Sequence, residues 1–115
     1  PKILVSSDEE KSTRFFLKGD KKIHQVHVDT ILFVEAYGNY SKVFLTNEVI
    51  ISHEKISAFE VLLAKERFLR VHRSFIVATD KIETIQGNQI CIENHKIPVG
   101  QTYKNQINNL LNKEI

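Results

Sequence analysis

The sequence predicts a mostly β fold: antiparallel strands in small sheets, with one short internal helix and a C-terminal helix. Three observations predict it. Short apolar runs rich in Val, Ile and Phe recur along the chain, pairs of Gly, Asn and Asp separate them at hairpin spacing, and a helical apolar period occurs at two places. At 115 residues, 42% apolar and 26% charged, the chain is long enough to bury one core and has the charge content of an ordinary globular domain.

Residues 1–13 read as a linker or N-terminal segment, because every position from Ser6 to Ser12 is Ser, Asp, Glu or Lys. The domain proper is placed over 14–115. The chain opens on Pro and contains no Met, which marks it as a processed product or a fragment. Its first ten residues hold one cation and three anions, so the formal net charge of +2 rises to +4 over the remainder.

Strand-type runs at 14–18 and 22–28 flank Gly19-Asp20. A longer unit follows over 29–46: an apolar run ending on Glu35, a turn at Gly38-Asn39-Tyr40, and a second apolar run. Runs at 43–46 and 49–52 flank Asn47-Glu48. Ser57 and Glu60 then stand at capping-box spacing, in which Ser57 accepts from the amide of Glu60 and Glu60 reaches back to the amide of Ser57. Ile56 and Val61 fall where a hydrophobic staple forms, and Phe59, Leu62 and Leu63 supply the apolar face of that helix. Runs at 81–85, 89–93 and 96–99 are separated by Gly87-Asn88 and Asn94-His95, and both Gly and Asn tolerate the positive φ of tight hairpin turns. At the end of the chain Tyr103, Ile107, Leu110 and Leu111 line one face of a helix of about three turns.

Charge is concentrated in one stretch. Between Lys65 and Arg73 four cations (Lys65, Arg67, Arg70, Arg73) face one anion (Glu66), with His72 and Ser74 as further donors, and the segment runs directly into a β-type apolar run. A local excess of +3 without a paired acid suits a polyanion surface better than a catalytic pocket.

Three segments, 29–46, 68–77 and 97–104, occur together in an order and spacing that resembles the LytTR-type DNA-binding domain, found in bacteria as the C-terminal output module of response regulators. The resemblance covers roughly 14–112. It implies a LytTR-like all-β fold that reads double-stranded DNA from loops and strand ends, without a recognition helix. It also implies binding in pairs on repeated half-sites, with bending of the duplex, and an N-terminal receiver domain in the full-length protein. Carried across residue by residue, the base-facing positions are Ser41 after Gly-Asn-Tyr, Arg73 in His-Arg-Ser, and Gln101 in Val-Gly-Gln. Lys42, Arg70 and Lys104 are placed to neutralise phosphates, with Asn39, Tyr40 and His72 as further donors to the duplex. Arg offers two donors to guanine O6 and N7, and Gln matches the N6 and N7 of adenine. Where members of the family commonly have Ser-Arg after the Ile-Pro-Val segment, this chain has Gly100-Gln101, which removes a charge and a hydroxyl at a base-facing position.

Other chemistries fare worse. His24 and His27 are three apart in a strand and so point to opposite faces, which denies them a shared metal ion. His72 and Ser74 share a face, but no glycine-framed nucleophile turn surrounds the serine. The four glycines form no phosphate-cradling loop, and Glu35 reads as the partner of an Arg or a loop amide rather than as an acid catalyst. Cys91, the single cysteine, reads as a small strand residue in a reducing compartment. No apolar stretch approaches the roughly 18 residues of a membrane span. The expectation is therefore a cytoplasmic, non-enzymatic domain without cofactor or metal, which binds DNA site-specifically as the output of a two-component system. The competing expectation, an interaction module with a basic face for an acidic protein or a membrane surface, shares the charge but not the base discrimination.

Overall fold

Alternation builds the first hairpin. The computed structural model describes residues 13–114, so the expected N-terminal linker lies, except for Thr13, outside the described residues. β1 (Arg14–Gly19) and β2 (Lys22–His27) pair antiparallel along their whole length, burying Leu17 and Val26. The turn falls at Asp20-Lys21, one residue later than the Gly19-Asp20 expected from sequence. Gly19 is instead a strand residue, paired with both Lys22 and Ser52, where a Cβ would meet the His24 ring and the Ile51 carbonyl at 3.2 Å.

A 3-10 turn at Val28–Thr30 leads into β3 (Ile31–Tyr37). Ile31, Leu32, Phe33 and Val34 are all buried, which alternation does not permit unless both faces of the strand are covered. β4 (Tyr40–Leu45) and β5 (Val49–Ser52) follow, then helix α1 (Ile56–Leu62), then β6 (Phe68–His72) and β7 (Phe75–Ala78). The seven strands form one antiparallel sheet in the order β2-β1-β5-β4-β3-β7-β6. β8 (Thr84–Gln86), β9 (Gln89–Ile92) and β10 (His95–Pro98) form a second, three-stranded sheet, and α2 (Lys104–Glu114) ends the described chain. The fold is thus the expected one, mostly β with antiparallel sheets and two helices.

Two cores sit on β3. Ile31, Val34, Val43, Ile50 and Ile76 pack with Leu17, Val26, Phe59 and Leu63, so β1–β2 and α1 cover that side. Leu32, Phe33, Val71 and Val77 pack with Ile90, Ile92, Ile97, Val99 and Ile107, so the small sheet and α2 cover the other. Phe33 stacks on Phe44 with ring centroids 4.2 Å apart and an angle of 14°, a contact that adds on the order of 1 kcal/mol to its area term.

Several boundaries move from their expected places for identifiable reasons. The capping box does not form: α1 starts at Ile56 with Lys55 at the N-cap and no side-chain cap. Ser41 and Ser52 cause the shift, because the Ser41 hydroxyl donates to the Glu54 carbonyl (2.8 Å) while the Glu54 amide donates to the Ser52 hydroxyl (3.2 Å). That clamp turns the chain before Ser57 is reached. Val61 is 78% exposed, so there is no staple, and Leu62 is half exposed while Phe59 and Leu63 carry the buried face. The run expected at 81–85 begins as a strand only at Thr84, because Lys81 closes a 3-10 turn (Thr79–Lys81). The last hairpin turns at Glu93-Asn94 rather than Asn94-His95, because Ile97 must lie opposite Ile90 for both to be buried. Glu93 consequently takes a φ of 53°. At the C-terminus Ile107 is buried, but Tyr103 belongs to a 3-10 turn (Gln101–Tyr103) and Leu111 is 40% exposed.

Phe59→Ala should lower stability by about 3–5 kcal/mol by opening a cavity. Val61→Ala should stay within about 0.5 kcal/mol, as expected of an exposed site. Urea denaturation of both variants checks which side of α1 is buried.

Candidate nucleic-acid interface

One row of residues organises the site. Ala36, Ser41, Ser52 and Gly19 are successive cross-strand partners from β3 to β1, and the Ala36 amide donates to the Ser74 carbonyl (2.8 Å) at the start of β7. All five residues are small, and all lie within three residues of a turn or strand end. The turns at Gly38-Asn39 and Arg73-Ser74 therefore emerge at one end of the large sheet, while β1, antiparallel to β5, brings Gly19 level with Ser52 and turns back at Asp20-Lys21 beside β5. The segment after β10 joins the first two turns, because the Gly100 amide donates to the Val71 carbonyl (2.8 Å). A Cβ on Gly100 would stand 3.1 Å from the Tyr103 ring and 3.5 Å from His72, so glycine permits this close approach.

The expected site residues come together at this end, but not all in the expected roles. Asn39, Arg73 and Gln101 are exposed at turns. Tyr40 is 46% exposed, its ring 5.3 Å from the His53 imidazole. Lys42 is half-buried with its ammonium 4.2 Å from the centre of the Tyr37 ring, which orients the cation without neutralising it. Lys104 opens α2 beside Gln101.

Two expectations need correction. Ser41 was expected to face a base, yet it is fully buried with its hydroxyl committed to the Glu54 carbonyl, so it shapes the β5–α1 connection instead. Arg70 was expected to neutralise a phosphate, yet its side chain is only 13% exposed and each of its three nitrogens donates within the protein. Nε donates to the His72 carbonyl (2.8 Å), one terminal nitrogen to Glu60 (2.7 Å) and the other to the Arg73 carbonyl. The guanidinium also lies 6.0 Å from the centre of the Tyr103 ring. Arg70 is the post on which the Arg73 turn is built. Glu60, expected to reach back to its own helix, leaves it to hold that post.

His72 has a similar positioning role. Its Nδ1 accepts the Ser74 amide (3.0 Å) and its ring packs edge-on to Phe75 at 5.6 Å, so imidazole and serine meet through a backbone amide and not through the hydroxyl. Glu35 faces Lys42 across β3–β4, and among the described residues it has neither an Arg nor a loop amide as partner. No group of three or more His, Cys, Asp or Glu side chains that could hold a metal ion comes together among the described residues. No described helix is long and apolar enough to cross a membrane.

Sequence reasoning missed Glu60, Ser52 and the lysines of the first hairpin. Glu60 was legible only as a helix residue, since its partner is 10 positions away and on another element. The lysines had a local signal in Lys18-Gly-Asp-Lys-Lys22, but their place at the end of the row beside β5 depends on the Gly19–Ser52 pairing.

Comparison with known proteins agrees with this architecture. The family model described as the LytTr DNA-binding domain matches residues 21–112. Sensory transduction protein LytT from Bacillus anthracis is 31% identical over 98 residues, which cover 80% of this chain and 40% of that protein, and the protein of the same name from Bacillus cereus gives the same values. The chain thus spans less than half the length of these relatives. Among solved structures, the LytTr DNA-binding domain of a Bacillus cereus methyl-accepting/DNA response regulator superposes with a TM-score of 0.76 at 27% identity, covering 86% of this chain and 96% of that one.

Ser41→Ala should cost about 1–3 kcal/mol in urea denaturation, because the Glu54 carbonyl loses its buried donor. Arg73 and Gln101, which lie outside that clamp, should keep their amide chemical shifts in the same variant.

Proposed function

The chain belongs to the LytTr DNA-binding domain family, and from that premise we propose that it binds double-stranded DNA site-specifically and regulates transcription as the output domain of a bacterial two-component response regulator. The observation that carries this reading is the convergence of Asn39, Arg73 and Gln101, all exposed, on turns that backbone hydrogen bonds hold at one end of a rigid sheet. Donors on such turns need little ordering on contact, so their hydrogen bonds go into discrimination. Arg73, fixed through Arg70 and Glu60, is the reader of guanine. Gln101 reads adenine from the loop that Gly100 brings against His72. Lys42 and Lys104 neutralise phosphates, and Asn39 and Tyr40 set the register.

The reading includes a receiver domain before the DNA-binding part, pairs of molecules on repeated half-sites, and action in the cytoplasm without catalysis. The relatives named for sensory transduction extend well beyond the matched part, which supports an upstream input domain. Selection of bound sequences from a random duplex pool tests the proposal. A recovered repeated motif is the expected result, while an unchanged pool, with binding instead to any acidic surface, would overturn it.

Arg73→Ala should weaken binding to the selected site by about 1–3 kcal/mol and to random DNA by much less. Lys104→Ala should weaken all sequences alike and make the salt slope shallower by about one unit. Filter binding across a salt series separates the two patterns, and equal losses for Arg73→Ala on both DNAs would make it a phosphate contact.

Gln101→Arg should strengthen binding overall and move preference at one base pair of each half-site from A·T toward G·C. Competition with duplexes varied at single positions checks it. A uniform gain at every variant would show that residue 101 does not read a base.

A further inference from the structure

The first hairpin carries charge that the reading loops leave unused. Lys18, Lys21 and Lys22 line a shallow hollow with Gly19, Ile23 and His53, and all three lysines are exposed. Among the described residues the ion pairs are Arg67 with Asp80 and Arg70 with Glu60, so no carboxylate neutralises these ammonium groups at pairing distance. Asp20 is the single acid of the turn, against three cations. Gly19 sets the hollow against the end of β5, since any Cβ there would meet the Ile51 carbonyl and the His24 ring. Lys21 has a φ of 60°, a left-handed conformation for which Asn or Gly is the favoured residue.

We infer that Lys18, Lys21 and Lys22 form a second phosphate-binding site, which grips the duplex backbone to one side of the reading loops. The inference rests on the DNA-binding function proposed above. The ligand chemistry is a run of phosphodiesters, and the site adds affinity without reading sequence. Its position follows from the row of cross-strand partners that ends on Gly19. Four inter-strand steps of about 4.8 Å put the hollow roughly 19 Å from Ser74. That is roughly six steps of about 3.4 Å along a duplex, and it fits within the 43 Å long axis of the molecule.

The test variant is Lys21→Asn with Lys22→Gln, because Asn suits the left-handed position and the charge is removed without straining the turn. An unchanged thermal melt confirms the fold. On a duplex with long flanks around the selected site, the slope of log K against log salt should fall in magnitude by about 1.8, while base preference at every position is kept. On a duplex trimmed to the selected bases, the variant and the wild type should bind alike. An unchanged slope on the long duplex overturns the inference and leaves the DNA-binding reading intact. A difference of the same size on the trimmed duplex overturns it too, because the lysines would then contact the selected site itself. If the wild type discriminates no duplex and the variant loses binding to anionic vesicles, both the inference and the reading it rests on fall.

Discussion

The need to bury both faces of β3 governs this molecule. Of four consecutive buried apolar residues, Ile31 and Val34 enter one core and Leu32 and Phe33 the other, with a register shift between Ile31 and Phe33, so each side must be covered by something else. The first hairpin and α1 cover one side; the small sheet and α2 cover the other. Neither covering layer has a complete core without β3. The chain therefore closes into one unit with two cores sharing a wall.

That arrangement determines where the loops go. With every pairing antiparallel, alternate turns emerge at one end of the large sheet, and covering both faces draws the segments after β5 and β10 to the same end. The loops are then tied to one another by backbone bonds, Ala36 to Ser74 and Gly100 to Val71, instead of projecting independently. Small residues occupy the row beneath them. A larger side chain at Ser41 or Ser52 would enter a fully buried space already occupied by the clamp on Glu54.

Charge at this end is divided by burial. Arg70 is enclosed and satisfied by two carbonyls and a carboxylate, so its contribution is rigidity in the Arg73 turn. Arg73 and the first-hairpin lysines are exposed, so their charge stays available to a polyanion. Arg70 and Arg73, three positions apart in the chain, thus do opposite work.

The sequence by itself determined the fold class, every hairpin except the one that turns at Arg73-Ser74, and most of the residues gathered at one end of the large sheet. Those depend on local period and turn chemistry, and on a motif order readable as a string. Tertiary structure alone decided which of the gathered residues face outward. Ser41 and Arg70 carry the same donors as their exposed neighbours, and only the Glu54 clamp and the Glu60 carboxylate, brought from other elements, commit those donors inward. Turn positions slipped by one residue for a related reason: pairings such as Ile97 with Ile90 and Gly19 with Ser52 outweigh the local preference of Asn or Gly for positive φ, leaving Glu93 and Lys21 in left-handed conformations. Local chemistry proposes a turn, but burial across the sheet sets its register, because a one-residue slip would expose every buried side chain of the strand.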